Sequence, residues 1–411
     1  MSHSPTHPAL TRTGTGVAAD GTFHMPTRVQ FGRGVISTLP DEVKGFGARS
    51  VMIVTDPGVL RTGLVDPIVT ALQDAGLEVT IFDKVQPNPR DVHCLEGADL
   101  ARQQGTDLFV GVGGGSPIDT AKCIAVLLTN GGHPRDWEDF GALQHDPVPV
   151  VAIPTTAGTG SEVSPSAIIT DTMRKKKMNL FDPRICPRLA LVDPDVTFSV
   201  PPRVTAATGM DALSHSIDSL HCRLDTPASD AMALEGARLN ALYLERAVAD
   251  GNDVEARCGM AQASLVAGLA VGITDVAGCH SIAEAIGAVY DHPHGECCAI
   301  GLPMIMEYNL PESQDKYVRL AHAFGLDTSG MDDETAAHAA IRYIRDRNDR
   351  LGIPTLSELV NEADLDLLAE KAFANTSTPS NPRSADVADF REMFARELQY
   401  DTTHRQGKEA S

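Results

Sequence analysis

The chain has 411 residues, of which 42% are hydrophobic, enough for two or three domains with substantial cores. Its 34 basic and 55 acidic side chains give a formal net charge of -21, which argues against binding to nucleic acid or to an anionic membrane surface. The eight cysteines form no Cys-x-x-Cys pair and no even framework, so we expect a reducing, cytoplasmic compartment.

The N-terminal residues 1–22 are rich in Ser, Thr, Gly and Pro and carry neither a basic start nor an apolar core. This composition predicts a loose tail and not a signal peptide. No apolar run along the chain approaches the roughly 18 residues of a membrane span. The first ordered segment is therefore expected near residue 23.

Residues 23–199 alternate between short apolar runs and amphipathic segments. The pattern predicts a strand at 29–31, a strand at 50–56, a helix at 64–75, a strand at 79–82, a helix at 95–104, and strands at 107–112, 150–153, 167–170 and 189–192. Such alternation is typical of an α/β domain with a doubly wound, mostly parallel sheet. After Pro201 and Pro202 the pattern becomes long and helical, which predicts a second, all-helical domain at 200–411.

A glycine-rich segment, residues 113–122 (Gly-Gly-Gly-Ser-Pro-Ile-Asp-Thr-Ala-Lys), follows the predicted strand at 107–112 and runs straight into a helix. Glycines let a backbone approach a bulky anion, and the first N–H groups of a helix bind phosphate. The segment is neither the Rossmann fingerprint nor a Walker loop, since Ser116 takes the last glycine position and Lys122 lies inside the helix. A plain strand-to-helix turn is the alternative.

Three other features of this half suit a polar ligand. Asp56 ends a buried strand, where a carboxylate can bind a ribose diol and repel a 2′-phosphate, although it could equally cap the next helix. Residues 154–162 form a loop of hydroxyls and small side chains. The basic run at 174–177 is predicted to be a solvated turn from which one lysine could reach a phosphate or ribose.

In the helical half, Asp211 and His215 are four residues apart and so lie on one helix face. A carboxylate and an imidazole presented together are half of a metal site, and His280 and His294 are candidates for the rest. An ordinary polar helix face is the alternative. His133 and His221 are interpreted as surface histidines. We expect the functional site in the cleft between the two halves.

These motifs together resemble the iron-containing, group III, alcohol dehydrogenases, over most of the chain from about Phe23 to Met393. The resemblance is carried by residues 113–122, by 154–162 (Pro-Thr-Thr-Ala-Gly-Thr-Gly-Ser-Glu), by 207–215 (Ala-Thr-Gly-Met-Asp-Ala-Leu-Ser-His), by Pro-His-Gly at 293–295 and by Asn-Pro-Arg at 381–383. It implies a dinucleotide-binding N-terminal domain and a helical, metal-binding C-terminal domain in a dehydroquinate synthase-like architecture. A homodimer or larger homo-oligomer is also expected.

Carried over position by position, the resemblance implies two sets of site residues. The metal ligands would be Asp211, His215, His280 and His294. The cofactor contacts would be Asp56, Asn88, Gly114, Gly115, Ser116, Asp119, Thr155, Thr156, Thr159 and Lys177. One position departs from the pattern: many members carry a second histidine four residues after His280, where this chain has Glu284. We expect Glu284 to affect substrate choice or proton relay.

The implied activity is that of an NAD-linked alcohol dehydrogenase or aldehyde reductase. Hydride would pass between a small alcohol, bound to Fe(II) or Zn(II), and the nicotinamide C4. Asp56 favours NAD over NADP. Maleylacetate reductase and hydroxyacid-oxoacid transhydrogenase are alternatives within the same family, and a dehydroquinate synthase-like lyase is a more distant one. A non-catalytic binding role would require a broken metal set, and the set is intact in the sequence.

Overall fold

The structure is a computed structural model that describes residues 25–138 and 140–409, with side chains described as far as residue 403. The tail predicted for residues 1–22 lies outside the described residues. Among those described, the chain separates into two compact units, the first ending at Val200 and the second beginning at Pro201.

The first unit contains all eight strands found in the described residues. They are β1 (Arg28–Phe31), β2 (Ser50–Val54), β3 (Glu78–Phe82), β4 (Leu108–Gly113), β5 (Val150–Pro154), β6 (Ser166–Asp171), β7 (Lys176–Phe181) and β8 (Leu189–Val192). Its α-helices are α1 (Leu39–Gly45), α2 (Pro57–Arg61), α3 (Val65–Asp74), α4 (Asp91–Gln104) and α5 (Gly115–Asn130). Short 3-10 helices lie at Val35–Thr38, Pro134–Trp137, Pro183–Ile185 and Pro194–Thr197.

Six strands form one parallel sheet in the order β1-β8-β5-β4-β2-β3. Both faces of this sheet are covered, which is why its central strands are continuous apolar runs. In β2, Met52 and Val54 pack into the core that contains α4 and α5, while Val51 and Ile53 pack into the core that contains α1 and α3. The predicted doubly wound fold is therefore confirmed.

A separate antiparallel hairpin, β6 with β7, lies outside the main sheet. The basic run predicted to be a solvated turn is split by it: Lys175 adopts a left-handed turn conformation with a φ of 51°, but Lys176 and Lys177 are already in β7. Arg174 pairs with the buried Asp171 and with Glu138. The run is thus a turn held by ion pairs that continues into a strand.

The second unit is helical. Its helices are α6 (Pro202–His221), α7 (Pro227–Ala249), α8 (Val254–Ile273), α9 (Gly278–Tyr290), α10 (His294–Ala323), α11 (Asp333–Leu351), α12 (Leu356–Leu359), α13 (Leu365–Phe373) and α14 (Val387–Glu409), with 3-10 helices at Glu362–Asp364 and Thr378–Ser380. α6 begins with Pro202, whose missing N–H costs nothing at a helix start. From Thr205 onwards most of its side chains are buried on every face, so α6 is the central helix of the unit.

Among the described residues, one helix, α8, has the length and the apolar composition needed to cross a membrane. The prediction that no apolar run approaches the length of a membrane span does not hold for α8, although this helix carries Glu255 and Arg257. In the most apolar 18-residue stretch of α8, 56% of the residues are buried inside the protein. The core helix of a globular unit has the same properties.

Candidate metal centre and cofactor loops

Three helices of the second unit bring the predicted metal ligands together. Asp211 and His215 lie one turn apart on α6, His280 is the third residue of α9, and His294 is the first residue of α10. The position after His294 must be glycine, because a Cβ on Gly295 would lie 2.1 Å from the backbone oxygen of Ala207 on α6. This close approach of backbones brings the start of α10 against α6.

Three imidazoles surround a single carboxylate oxygen of Asp211. Oδ1 of Asp211 lies 4.0 Å from Nε2 of His215, 4.0 Å from Nε2 of His280 and 3.7 Å from Nε2 of His294. The rings of His215 and His280 stack with centroids 4.8 Å apart, and those of His280 and His294 are 5.4 Å apart. The structure therefore places all four residues in one cluster.

Two atoms of the cluster show that a cation fits it. Oδ1 of Asp211 and Nε2 of His280 are buried and make no hydrogen bond in the described structure. A buried polar atom without a partner is costly, and an ion bound by both atoms would remove that cost. One carboxylate with several imidazoles is a donor set suited to Fe(II) or Zn(II). The residues thus fit a divalent metal.

The electrostatics of the cluster also favour added positive charge. Burial lowers the pKa of His280, but the Cys298 sulfur and the carboxylates of Asp218 and Asp211 outweigh burial and raise the pKa to about 10. Burial raises the pKa of the Asp211 carboxyl, yet the surrounding imidazoles hold it below its ordinary value. The cluster therefore attracts a cation, either a proton or a metal ion.

Asp218, which the sequence analysis missed, holds His280 in place. Its Oδ2 lies 2.8 Å from Nδ1 of His280 and accepts the backbone N–H of Ala277 at 2.8 Å. Contacts of this kind fix the ring of a metal-binding histidine and direct the other nitrogen to the ion. Asp218 follows Asp211 by seven residues, two helical turns, so the spacing Asp-x3-His-x2-Asp could have revealed it.

The prediction that His221 is a surface residue is wrong. Its side chain is fully buried, with Nε2 3.0 Å from Oδ1 of Asp218 and Nδ1 2.9 Å from the hydroxyl of Tyr317. The hydrogen-bonded series therefore runs from Tyr317 through His221 and Asp218 to His280. His133 is also not a simple surface residue: it is half-buried, and its Nδ1 accepts the backbone N–H of Arg135 at 3.3 Å.

Two further side chains near the cluster were not singled out from the sequence. Cys298 lies one turn after His294 on α10, with its Sγ 3.5 Å from Nε2 of His294. Asn375 donates its Nδ2–H to Oε2 of Glu284 at 2.6 Å. Glu284 is half-buried and one helical turn beyond His280 on α9. The Glu284 carboxylate, which is predicted to affect substrate choice or proton relay, is therefore hydrogen-bonded to the Asn375 amide.

The predicted cofactor loops lie at the carboxyl ends of neighbouring strands β4 and β5, in the first unit. Thr155 donates its backbone N–H to the oxygen of Gly113 at 2.9 Å. A Cβ on Gly115 would lie 3.0 Å from Cγ2 of Thr159, so the glycine loop and the threonine loop are in contact. α5 starts from Gly114, and no side chain caps it. A helix start of this kind suits a pyrophosphate.

The other predicted cofactor residues have differing surroundings. Asp56 caps α2, because its Oδ1 accepts the backbone N–H groups of Gly58 at 2.7 Å and Val59 at 3.0 Å. Asp119 is buried and its Oδ2 accepts the N–H of Ile168 at 3.0 Å, which joins α5 to β6. Exposure is intermediate for Asn88, Ser116, Thr156 and Lys177, whereas Thr155 is buried.

Sequence comparison shows which family this arrangement belongs to. A profile described as "Iron-containing alcohol dehydrogenase" matches residues 26–194, and a profile described as "Fe-containing alcohol dehydrogenase family, C-terminal" matches residues 205–398. The chain belongs to the iron-containing alcohol dehydrogenase family. The family predicted from the sequence motifs is therefore confirmed, and with it the enzyme class, an alcohol dehydrogenase that uses NAD and a divalent metal.

Individual members of the family are similar over nearly the whole chain. An "NAD-dependent methanol dehydrogenase" of Bacillus methanolicus is 40% identical over 92% of this chain and 99% of its own length. A "Choline dehydrogenase" of Bacillus subtilis is 39% identical over 91% of this chain and 94% of its own. The crystal structure of a 1,3-propanediol oxidoreductase superposes with a TM-score of 0.90 at 35% identity, covering 92% of this chain and 100% of that one.

Replacing Asp218 with Asn should weaken metal binding while leaving all four proposed ligands in place. The amide oxygen can still accept the Nδ1–H of His280, but without the negative charge it holds the ring less firmly. We expect zinc affinity to fall on the order of 10- to 100-fold, as for other partners of metal ligands. Chelator competition measures this affinity. Glu235→Gln on α7, an exposed carboxylate paired with Arg238, is the control for lost charge and should bind as the parent does.

Proposed function

We propose that Asp211, His215, His280 and His294 hold one divalent ion, Fe(II) or Zn(II), and that the chain catalyses the NAD-linked interconversion of small primary alcohols and aldehydes. The observation that carries the proposal is the convergence of three imidazoles on one buried Asp211 oxygen that makes no hydrogen bond. A divalent ion in this cluster supplies Lewis acidity toward an alcohol or carbonyl oxygen, and bound NAD supplies the hydride acceptor.

The protein's own side chains prepare the cluster for that chemistry. Asp218 accepts a hydrogen bond from His280 and so keeps the Nε2 of His280 directed to Asp211. The side chains of Asp211 and His280 are each 4% exposed, whereas that of His294 is 29% exposed. We therefore propose that substrate approaches on the His294 side, while the interior side stays closed to water.

The cofactor is proposed to bind the loops of the first unit. The uncapped start of α5 at Gly114, Gly115 and Ser116 would hold the pyrophosphate, with Thr155, Thr156 and Thr159 opposite it. Asp56 would accept hydrogen bonds from the adenosine ribose through the carboxylate oxygen that does not cap α2. Asn88, Asp119 and Lys177 complete the proposed contact set.

The names of similar proteins support the proposed substrate class. Methanol, choline, 1,3-propanediol and lactaldehyde appear in the names of relatives that are 35 to 40% identical to this chain. All four molecules are small and carry a primary alcohol or an aldehyde. Within that class, Glu284 is a residue through which this chain could select its own substrate.

We also propose a compartment and an assembly for the protein. The cysteine side chains are buried or half-buried and show no framework spacing, in keeping with a reducing cytoplasm. We also propose a homodimer or larger homo-oligomer, which light scattering of the purified protein would test.

Replacing His280 or His294 with Ala should lower both metal content and kcat, because an incomplete ligand set holds the ion loosely. We expect at least about a hundredfold loss of kcat/KM, on the order of 3 kcal/mol of transition-state stabilisation. Metal analysis and steady-state rates give the two values. His322→Ala, an exposed histidine in contact with Thr328, is the control. Full metal occupancy with a normal rate in both variants would overturn the assignment.

Replacing Glu284 with Gln should leave metal content unchanged and alter either the pH profile of turnover or the ranking of substrates. The amide keeps the size of the side chain and can still contact Asn375, so only the charge is lost. Turnover against pH with ethanol, 1,3-propanediol and lactaldehyde measures the effect. If neither the pH profile of turnover nor the ranking of substrates changes, Glu284 is a polar helix residue without a catalytic role.

Replacing Asp56 should relax the preference for NAD over NADP. A carboxylate near a 2′-phosphate costs on the order of a few kcal/mol, or roughly a hundredfold in affinity. Because Asp56 also caps α2, Asp56→Ser is the sharper variant: it keeps a capping oxygen and removes the charge. We expect the NADP to NAD ratio of kcat/KM to rise in Asp56→Ser and in Asp56→Gly.

The thermal midpoint separates the two roles of Asp56. It should fall more in Asp56→Gly, which has lost the capping side chain, than in Asp56→Ser. A parent enzyme that already prefers NADP, or a cofactor ratio that stays constant in both variants, would show that Asp56 does not contact the ribose.

A further inference from the structure

A thiol lies inside the cluster of proposed metal ligands. The side chain of Cys298 is fully buried, one helical turn after His294 on α10. Ligand atoms of Asp211, His280, His294 and Cys298 all lie within 4.8 Å of one another. Two residues at positions i and i+4 of a helix face the same side, so α10 presents an imidazole and a thiol together.

The atoms around this thiol point to a ligand independently of it. Oδ1 of Asp211 and Nε2 of His280 are both buried, with their residues 3% exposed, and neither makes a hydrogen bond. Asp211 and His280 each have a ligand atom within 4.8 Å of the Cys298 sulfur. A cation bound there would satisfy both of these atoms and would lie within reach of the sulfur.

The spacing of sulfur and nitrogen agrees with two ligands of one ion. Metal–sulfur and metal–nitrogen bonds of about 2.3 and 2.05 Å place the two ligand atoms about 3.1 Å apart at 90° and about 3.8 Å apart at 120°, the angles of a five-coordinate ion. The observed distance from Cys298 Sγ to His294 Nε2 is 3.5 Å. An S–H···N hydrogen bond has a similar length, so the experiment must separate coordination from hydrogen bonding.

We propose that Cys298 is a further ligand, through its thiolate, of the divalent ion held by Asp211, His215, His280 and His294. The inference rests on the proposed metal centre and adds one residue to it. A metal–sulfur bond forms, the S–H bond breaks, and the proton passes to solvent with no change in oxidation state. Asp211 and Cys298 together then balance the two positive charges of the ion.

A sulfur ligand has a chemical consequence for the choice of metal. Thiolate is a soft donor that favours Zn(II) and Cd(II) over harder ions, whereas carboxylate and imidazole discriminate less. Cys298 would therefore bias the site toward thiophilic ions. Replacing Cys298 should weaken Cd(II) binding at least as much as replacing a residue that only orients a ligand, such as Asp218. The expected loss of affinity is on the order of 10- to 100-fold or more.

The experiment uses the full-length protein freed of metal and titrated with Co(II). Sulfur coordination gives an intense near-ultraviolet charge-transfer band, separate from the visible bands that report cobalt bound by nitrogen and oxygen. We expect both sets of bands in the parent and in Cys297→Ala, which removes the neighbouring buried thiol on α10. Cys298→Ala and Cys298→Ser should keep the visible bands and lose the charge-transfer band.

Two further measurements identify the sulfur and its proton. Cys279, whose Sγ lies 3.3 Å from the backbone oxygen of Cys298, is the other thiol close to the cluster. The charge-transfer band should therefore survive in Cys279→Ala. The parent should also release one more proton per Zn(II) bound than Cys298→Ala does, measured in weakly buffered solution with a pH indicator.

The outcomes separate this inference from the proposed function. One Co(II) bound by the parent without a charge-transfer band, or a band that is lost in Cys279→Ala and kept in Cys298→Ala, overturns the role of Cys298 and leaves the metal centre standing. A parent that binds no Co(II) overturns the metal centre itself. Cys298→Ser keeps nearly the size of the thiol, so it gives a second test if Cys298→Ala does not fold.

Discussion

A carboxylate buried in a helical core must be compensated by positive charge, and the functional part of the second unit is built around that requirement. Asp211 lies on the central helix α6, where burial alone would favour the protonated acid. Three imidazoles from α6, α9 and α10 surround its Oδ1 at 3.7 to 4.0 Å. The helices can bring them there because Gly295 lets the backbone of α10 reach the carbonyl of Ala207.

The cluster depends on a second buried carboxylate behind it. Asp218 contacts His280 with one oxygen and His221 with the other, and the pKa of Asp218 lies well below its ordinary value: burial opposes that shift and the two imidazoles more than offset it. Asp218 is thus a fixed anion that orients His280, one of the proposed ligands. Two carboxylates on one face of α6 thereby have different roles, set by their neighbours.

In the first unit the same residue can serve the fold and the ligand. Asp56 caps α2 with Oδ1, and its second oxygen is the one assigned to ribose. Lys122 and one oxygen of Asp119 serve the fold: the Lys122 ammonium donates to the carbonyls of Ser164 and Ser166, and Oδ2 of Asp119 accepts the N–H of Ile168. Both contacts fasten the β6–β7 hairpin to α5. A sequence motif that spans residues 113–122 therefore combines the turn proposed to bind phosphate with an internal support.

The sequence by itself determined the strand and helix alternation, the parallel sheet and the family, because side-chain periodicity and glycine spacing report on local backbone geometry. The resemblance carried by its motifs also indicated Asp211, His215, His280 and His294 as candidate ligands. Only the tertiary structure decided which other residues contact these four side chains. The contacts of His221 with Tyr317, of Asp218 with His280, and of Cys298 with Asp211 and His280 join residues of α6, α9 and α10. A histidine such as His221 looks identical in sequence whether exposed or buried, because burial depends on which helices pack around it.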